Sequence, residues 1–149
     1  MTSSTTNYVS MLMFSADRTK VVLLIKNRPV FLNGKLCPVG GHIDEGEEPN
    51  VAAAREFFEE AGVQTEPDEW LKYAVCEGPD WVMHCFVSFD DLAYDCHTTT
   101  DEPIFVLDVT TVLLQVVTNP ESAPTDLLAL IGLAMQAGVR EGIAHLKYA

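Results

Sequence analysis

At 149 residues, the chain has the size of one ordinary domain and is long enough to bury a core without disulfide or metal staples. Its 48% hydrophobic content excludes a disordered segment. Twenty-two acidic against nine basic residues, a formal charge of -13, exclude broad electrostatic contact with nucleic acid or anionic membranes. One domain spanning residues 1–149 is expected.

Tyr8 to Phe14 reads as a short apolar strand, Ala16-Asp17-Arg18 as a turn and Val21 to Ile25 as a buried strand, together suggesting a hairpin. Residues 27–35 carry the loop formers Asn27, Pro29, Asn33 and Gly34, and Leu36 to Val39 reads as a short strand ending at Gly40-Gly41. Glu48-Pro49-Asn50 opens a helix that runs through VAAAREFFEEA to Gly62, a favourable residue just past a helix end. Trp70 to Cys76 and Trp81 to Phe89 read as strands joined by a turn at Glu77-Gly78-Pro79-Asp80. Residues 95–103 form a polar loop, Ile104 to Leu107 a further strand, and Thr110 to Val117 suits helix or strand equally. Pro124 to Ala137 reads as a helix with at least one buried face. Strands, helix, strands, helix, without regular βαβ alternation, favour an α+β sandwich with a mixed sheet over a doubly wound one.

Cys37, Cys76, Cys85 and Cys96 show neither CxxC nor zinc-ligand spacing and read as free thiols in a reducing compartment. The polar start lacks the basic and apolar regions of a signal peptide, and no apolar run is long enough to cross a bilayer. A cytoplasmic location is expected.

The chemistry concentrates in residues 41–63, GHIDEGEEPNVAAAREFFEEAGV. Glu56, Glu59 and Glu60 stand three and four apart, so a helix places them along one stripe. Glu47 joins them from the loop before the helix. Like charges at this spacing oppose one another by a few tenths of a kcal/mol. An oxygen-seeking divalent cation removes the conflict. Arg55, four before Glu59, can neutralise or orient a neighbouring acid, Phe57 can anchor the helix to the core, and Gly40-Gly41 permits a main-chain carbonyl to approach a ligand. An acidic helix with a solvated face would show the same stripe, but not the outlying Glu47 and the loop glycines together.

The segment resembles the Nudix box, a glycine, five residues, a glutamate, seven residues, then Arg-Glu-apolar-any-Glu-Glu-any-Gly-apolar. Gly41, Glu47, Arg55, Glu56, Phe57, Glu59, Glu60, Gly62 and Val63 fill every fixed position. The usual Phe-Pro-Gly-Gly lead-in is here Pro38-Val39-Gly40-Gly41. The resemblance implies a Nudix α/β/α sandwich and a hydrolase that cuts a diphosphate linkage by attack of water on phosphorus with Mg²⁺ or Mn²⁺. It further implies metal ligation by Glu56, Glu59, Glu60 and the carbonyl of Gly41 or Gly40, with Glu47 and Arg55 bracing loop against helix. Catalytic roles fall to Glu56 and Glu59, and the general base to Glu56 or to a carboxylate on a later loop, where Asp101 and Glu102 are candidates and Glu102 is preferred.

The substrate is expected to be a nucleoside diphosphate linked to another group, such as ADP-ribose or a nucleotide sugar. A nucleoside triphosphate pyrophosphatase and a non-catalytic nucleotide-binding module are the alternatives. Five of the nine cations (Arg18, Lys20, Lys26, Arg28 and Lys35) fall in the first 35 residues. Arg28 and Lys35 are candidates for phosphate contact, and Phe31 and Trp81 for stacking on a base. ADP-ribose-cleaving relatives often carry a proline where Pro79 stands. The expected partner is a nucleotide-type small molecule, with no nucleic acid, no membrane and a homodimer left open.

Overall fold

The computed structural model describes residues 4–139 and 142–149. Its central sheet contains β1 (Thr6–Phe14), β2 (Lys20–Ile25), β3 (Leu36–Cys37), β4 (Val39–His42), β5 (Leu71–Glu77), β6 (Trp81–Phe89), β7 (Ile104–Asp108) and β8 (Ala144–Lys147). The helices are α1 (Pro49–Ala61), α2 (Val109–Thr118) and α3 (Leu127–Met135). The sheet runs β3-β2-β1-β6-β5-β8, with β4 also paired to β1 and β7 to β2. No described helix is long and apolar enough to cross a membrane.

β1 is buried on both faces, and its side chains alternate between two cores. Val9, Met11 and Met13 belong to the core that includes Ala52, Ala53, Phe57 and Ala61 of α1. Leu12 and Phe14 belong to the core formed with Val112 and Val116 of α2 and Leu127, Leu130 and Ile131 of α3. The result is helix, mixed sheet, helix, the α/β/α layering expected. The residues left open between helix and strand are helical because Val109, Val112 and Val116, at spacings of three and four, are the buried ones.

One edge of β1 pairs in parallel with β6 from Thr6↔Trp81 to Phe14↔Phe89. Its other edge is shared. β4 takes Tyr8 to Met11, and β2 meets β1 at Phe14↔Val21. The β1–β2 hairpin is thus confined to its tip. The single strand expected at Leu36 to Val39 is two strands broken at Pro38, which has no N–H to donate. β3 pairs with β2 and β4 with β1, so the proline marks a change of partner, and β4 continues through both glycines to His42. Gly40 is required there, since a Cβ would fall 2.6 Å from the Val9 carbonyl oxygen.

α1 starts on Pro49 and ends at Gly62, whose φ of 76° is left-handed and whose N–H donates to the Phe58 carbonyl. Phe57 is fully buried with its ring centroid 4.9 Å from that of Trp70. Phe57→Ala is expected to lower unfolding free energy by about 3–5 kcal/mol in a denaturant titration; a loss below about 1 kcal/mol would show that this ring does not hold the helix down. At the opposite layer, Arg18 donates to the Met135 carbonyl at 2.7 Å and lies 4.0 Å over the Phe89 ring, fixing the end of α3 to the β1–β2 turn. β8, whose short segment carries no strand signal of its own, adds to β5 in parallel from Ala74↔Ala144 to Glu77↔Lys147. All four cysteines are buried free thiols.

Candidate active site

α1 buries Ala52, Ala53, Ala61 and Phe57 towards β4 and β1; Glu56 and Glu60 flank that buried face, part-buried, and Glu59 is exposed. Arg55 sits at the centre of the acids. Its Nε and one terminal nitrogen grip Glu47 at 2.8 and 2.9 Å, a bidentate fork, and that same terminal nitrogen donates to the His42 carbonyl at 3.0 Å. Its other terminal nitrogen reaches Glu56 at 2.9 Å and Glu59 at 3.3 Å. The Glu47 carboxylate also accepts from the Asp44 N–H at 3.0 Å, closing the box loop on itself. The Arg55 hydrogen bonds hold the Glu47 carboxyl below its ordinary pKa, and the same acids raise that of the guanidinium.

Glu56 folds over Gly41. A Cβ on that glycine would lie 2.3 Å from the Glu56 Cδ and Oε2, so only glycine leaves the carboxylate its place. Gly41→Ala is expected to cost turnover about tenfold or more while barely moving the melting temperature, because the clash falls on a movable side chain. Paired kinetic and melting measurements check this, and unchanged turnover would remove Glu56 from the site.

At the far end of α1, the Thr100 hydroxyl donates to Glu60 at 3.2 Å, and Thr99 donates to the Glu59 carbonyl. Burial pushes the carboxyls of Glu56 and Glu60 up; Arg55 opposes this at Glu56, and Thr100, Lys26 and Arg28 oppose it at Glu60. Among the described residues no three His, Cys, Asp or Glu side chains converge tightly enough to enclose an ion. The donor set nonetheless suits Mg²⁺ or Mn²⁺: all-oxygen, partly desolvated, with repelling carboxylates and a glycine cradle that keeps Glu56 beside the backbone.

The loop candidates divide. Glu102 is almost wholly buried; Lys26 donates to its Oε1 at 3.2 Å and the Asn27 N–H to its Oε2 at 2.8 Å. Arg28 is exposed and pairs with Asp101 at 3.3 Å. Phe31 is 73% exposed at the tip of the same loop. Lys35 donates to the Glu121 carbonyl at 2.9 Å, beyond the end of α2. Trp81 packs 5.2 Å from Tyr148 in the core on the α2–α3 side, the face of the sheet opposite α1, and so is not brought to the carboxylates. Nothing in the sequence gives Lys26 a role, because a lysine at a strand end shows its partner only when Glu102, 76 residues on, folds beside it. At the other end of α1, Asn7, His42, Glu47 and His84 line a groove of about 710 Å³.

The NUDIX domain pattern matches residues 5–121 of the chain. The chain belongs to the Nudix family. A 47-residue segment is 49% identical to the RNA pyrophosphohydrolases of Cereibacter sphaeroides strains, covering 32% of this chain and 26% of theirs, so only about a quarter of those relatives' length is matched. Among solved structures, a NUDIX hydrolase from Nitrosomonas europaea superposes with a TM-score of 0.73 at 16% identity, covering 99% of this chain and 82% of that one. A MutT/nudix family protein from Enterococcus faecalis gives 0.62 at 17%, covering 72% and 45%. These likenesses extend the Nudix fold beyond the segment that carries the box.

Proposed function

We propose that this Nudix domain hydrolyses the diphosphate linkage of a nucleoside diphosphate joined to a second group, using a divalent cation held by Glu56, Glu59, Glu60 and the Gly41 carbonyl. The observation carrying this reading is the Arg55 hub: one guanidinium orders Glu47, Glu56 and Glu59 around a glycine cradle, an arrangement a merely solvated acidic face does not need. When bound, the cation offsets phosphate charge and lowers the pKa of a coordinated water. The chain's own residues do the rest. Glu56, beside the backbone of Gly41, receives a proton from the attacking water, and Arg28 faces a phosphate oxygen.

The stripe has room on both sides. The groove beside His42 lies at one end, and the loop bearing Arg28 and exposed Phe31 lies at the other. A linkage with a group on each side fits this better than a triphosphate with one. Arg28 and Phe31 therefore remain the substrate contacts of choice, whereas Lys35 and Trp81 are already engaged elsewhere.

The segment shared with RNA pyrophosphohydrolases favours a second reading, removal of pyrophosphate from the 5′ end of RNA. The charge of -13 opposes extended RNA contact but not entry of one 5′ end. The test is a panel with Mg²⁺, with and without chelator: ADP-ribose, nucleotide sugars, dinucleoside polyphosphates, nucleoside triphosphates and a 5′-triphosphorylated RNA. AMP from ADP-ribose, or a nucleoside monophosphate from a nucleotide sugar, supports the first reading. Pyrophosphate from the RNA supports the second, and from a free triphosphate the nucleoside triphosphate pyrophosphatase alternative. Turnover unaffected by chelator would overturn the metal mechanism.

A further inference from the structure

Glu102 lies one hydrogen-bonded step from Glu60, through Thr100, but lacks the freedom of a general base. A base must offer a lone pair that water can reach, whereas only 4% of the Glu102 side chain is exposed and its two oxygens already accept from the Lys26 ammonium and the Asn27 N–H. A carboxylate buried to this degree persists because it is paired. The pair also joins two loops. Lys26 begins the 26–35 loop, whose ends are pinned by Lys26 N–H to the Lys35 carbonyl at 3.0 Å and Gly34 N–H to the Lys26 carbonyl at 2.7 Å. Glu102 lies near the end of the 95–103 loop, and its N–H donates to the Thr100 hydroxyl, which in turn reaches Glu60. Lys26 is 24% exposed, and its partner Glu102 is joined through the Thr100 hydroxyl to Glu60.

We propose that Glu102 is a positioning residue that holds the Lys26 ammonium beside Glu60, making Lys26 the diphosphate-binding cation of the site. This rests on the reading of the site as a diphosphate hydrolase. The two phosphates displace no buried group: they approach Lys26 from its exposed side while Glu102 keeps it in place. Lysine suits this task as a compact charge with three donors, able to serve Glu102 and a phosphate oxygen together.

The experiment combines calorimetric binding of α,β-methylene-ADP with Mg²⁺ and turnover of the best panel substrate, for wild type, Glu102→Gln, Lys26→Met and Lys26→Met/Glu102→Leu. The double variant replaces the pair by apolar groups and keeps the test alive should Lys26→Met unfold around an unpaired Glu102. We expect each folded variant to bind the analogue about tenfold more weakly and to raise KM similarly, with kcat within about threefold of wild type and the acid limb of the pH–rate profile in place. A kcat loss of about 100-fold or more in Glu102→Gln, with KM unchanged and the acid limb gone, would make Glu102 the base and overturn the proposal while leaving the hydrolase reading intact. Weakened analogue binding in the variants of a wild type that turns over nothing in the panel would do the reverse. A wild type that neither binds nor turns over sinks both.

Discussion

Glu56→Gln, Glu59→Gln and Glu60→Gln should each fold as the wild type does and lose turnover by about 100-fold or more. The two halves of this expectation pull in opposite directions, which makes it informative. As structure, the acids oppose each other: Glu56 and Glu60 are four apart, and both are partly withdrawn from water. Neutralising one removes a like-charge contact worth a few tenths of a kcal/mol, so melting temperatures should hold or rise slightly. As chemistry, each change removes a negative oxygen that a divalent cation requires, and Glu56→Gln also removes the proton acceptor. Glu59 is the sharpest case, its side chain being half exposed and, among the described residues, linked to Arg55 alone, so its loss has little structural consequence. Titration with Mn²⁺ should show weakened binding in all three. Wild-type turnover in both Glu59→Gln and Glu60→Gln would dismantle the ligand assignment.

Local spacing made α1 and its stripe legible, because three- and four-residue intervals determine a helix face without reference to the rest of the chain. The same holds for Gly62, whose left-handed φ ends the helix where the sequence suggested. What depends on distant partners was not legible. The parallel pairing of β1 with β6 joins segments about 75 residues apart, and the addition of β8 to β5 about 70. Neither leaves a local trace. Trp81 illustrates the cost: in a strand, alternate residues face opposite ways, so one step of register decides between a substrate groove and the α2–α3 core. Glu102 illustrates another limit. Its position in a polar loop suggested exposure, and only the fold shows that Lys26 and the Asn27 N–H enclose it. Pro38 was visible as a residue, but that it marks a change of strand partner follows from β1 dividing one edge between β4 and β2.

Arg55 offers the second large effect. Arg55→Lys preserves charge and should still cost about 10- to 100-fold in turnover, the usual penalty when a residue orienting the ligands is lost. The reason is shape. The guanidinium meets Glu47 through two nitrogens at once, and its third reaches Glu56 and Glu59. A lysine supplies one point charge and cannot form that fork. Arg55→Met should go further, lowering stability by about 3 kcal/mol, since Glu47 is only 12% exposed and would be left without its cation. Adding Mg²⁺ should not rescue either variant: the ion can offset charge among Glu56, Glu59 and Glu60, but it cannot close the box loop on the helix as Glu47 and the His42 carbonyl do through Arg55. Full activity in Arg55→Lys would mean that charge alone suffices there, and that the ordering of the acids around Gly41 comes from elsewhere in the fold.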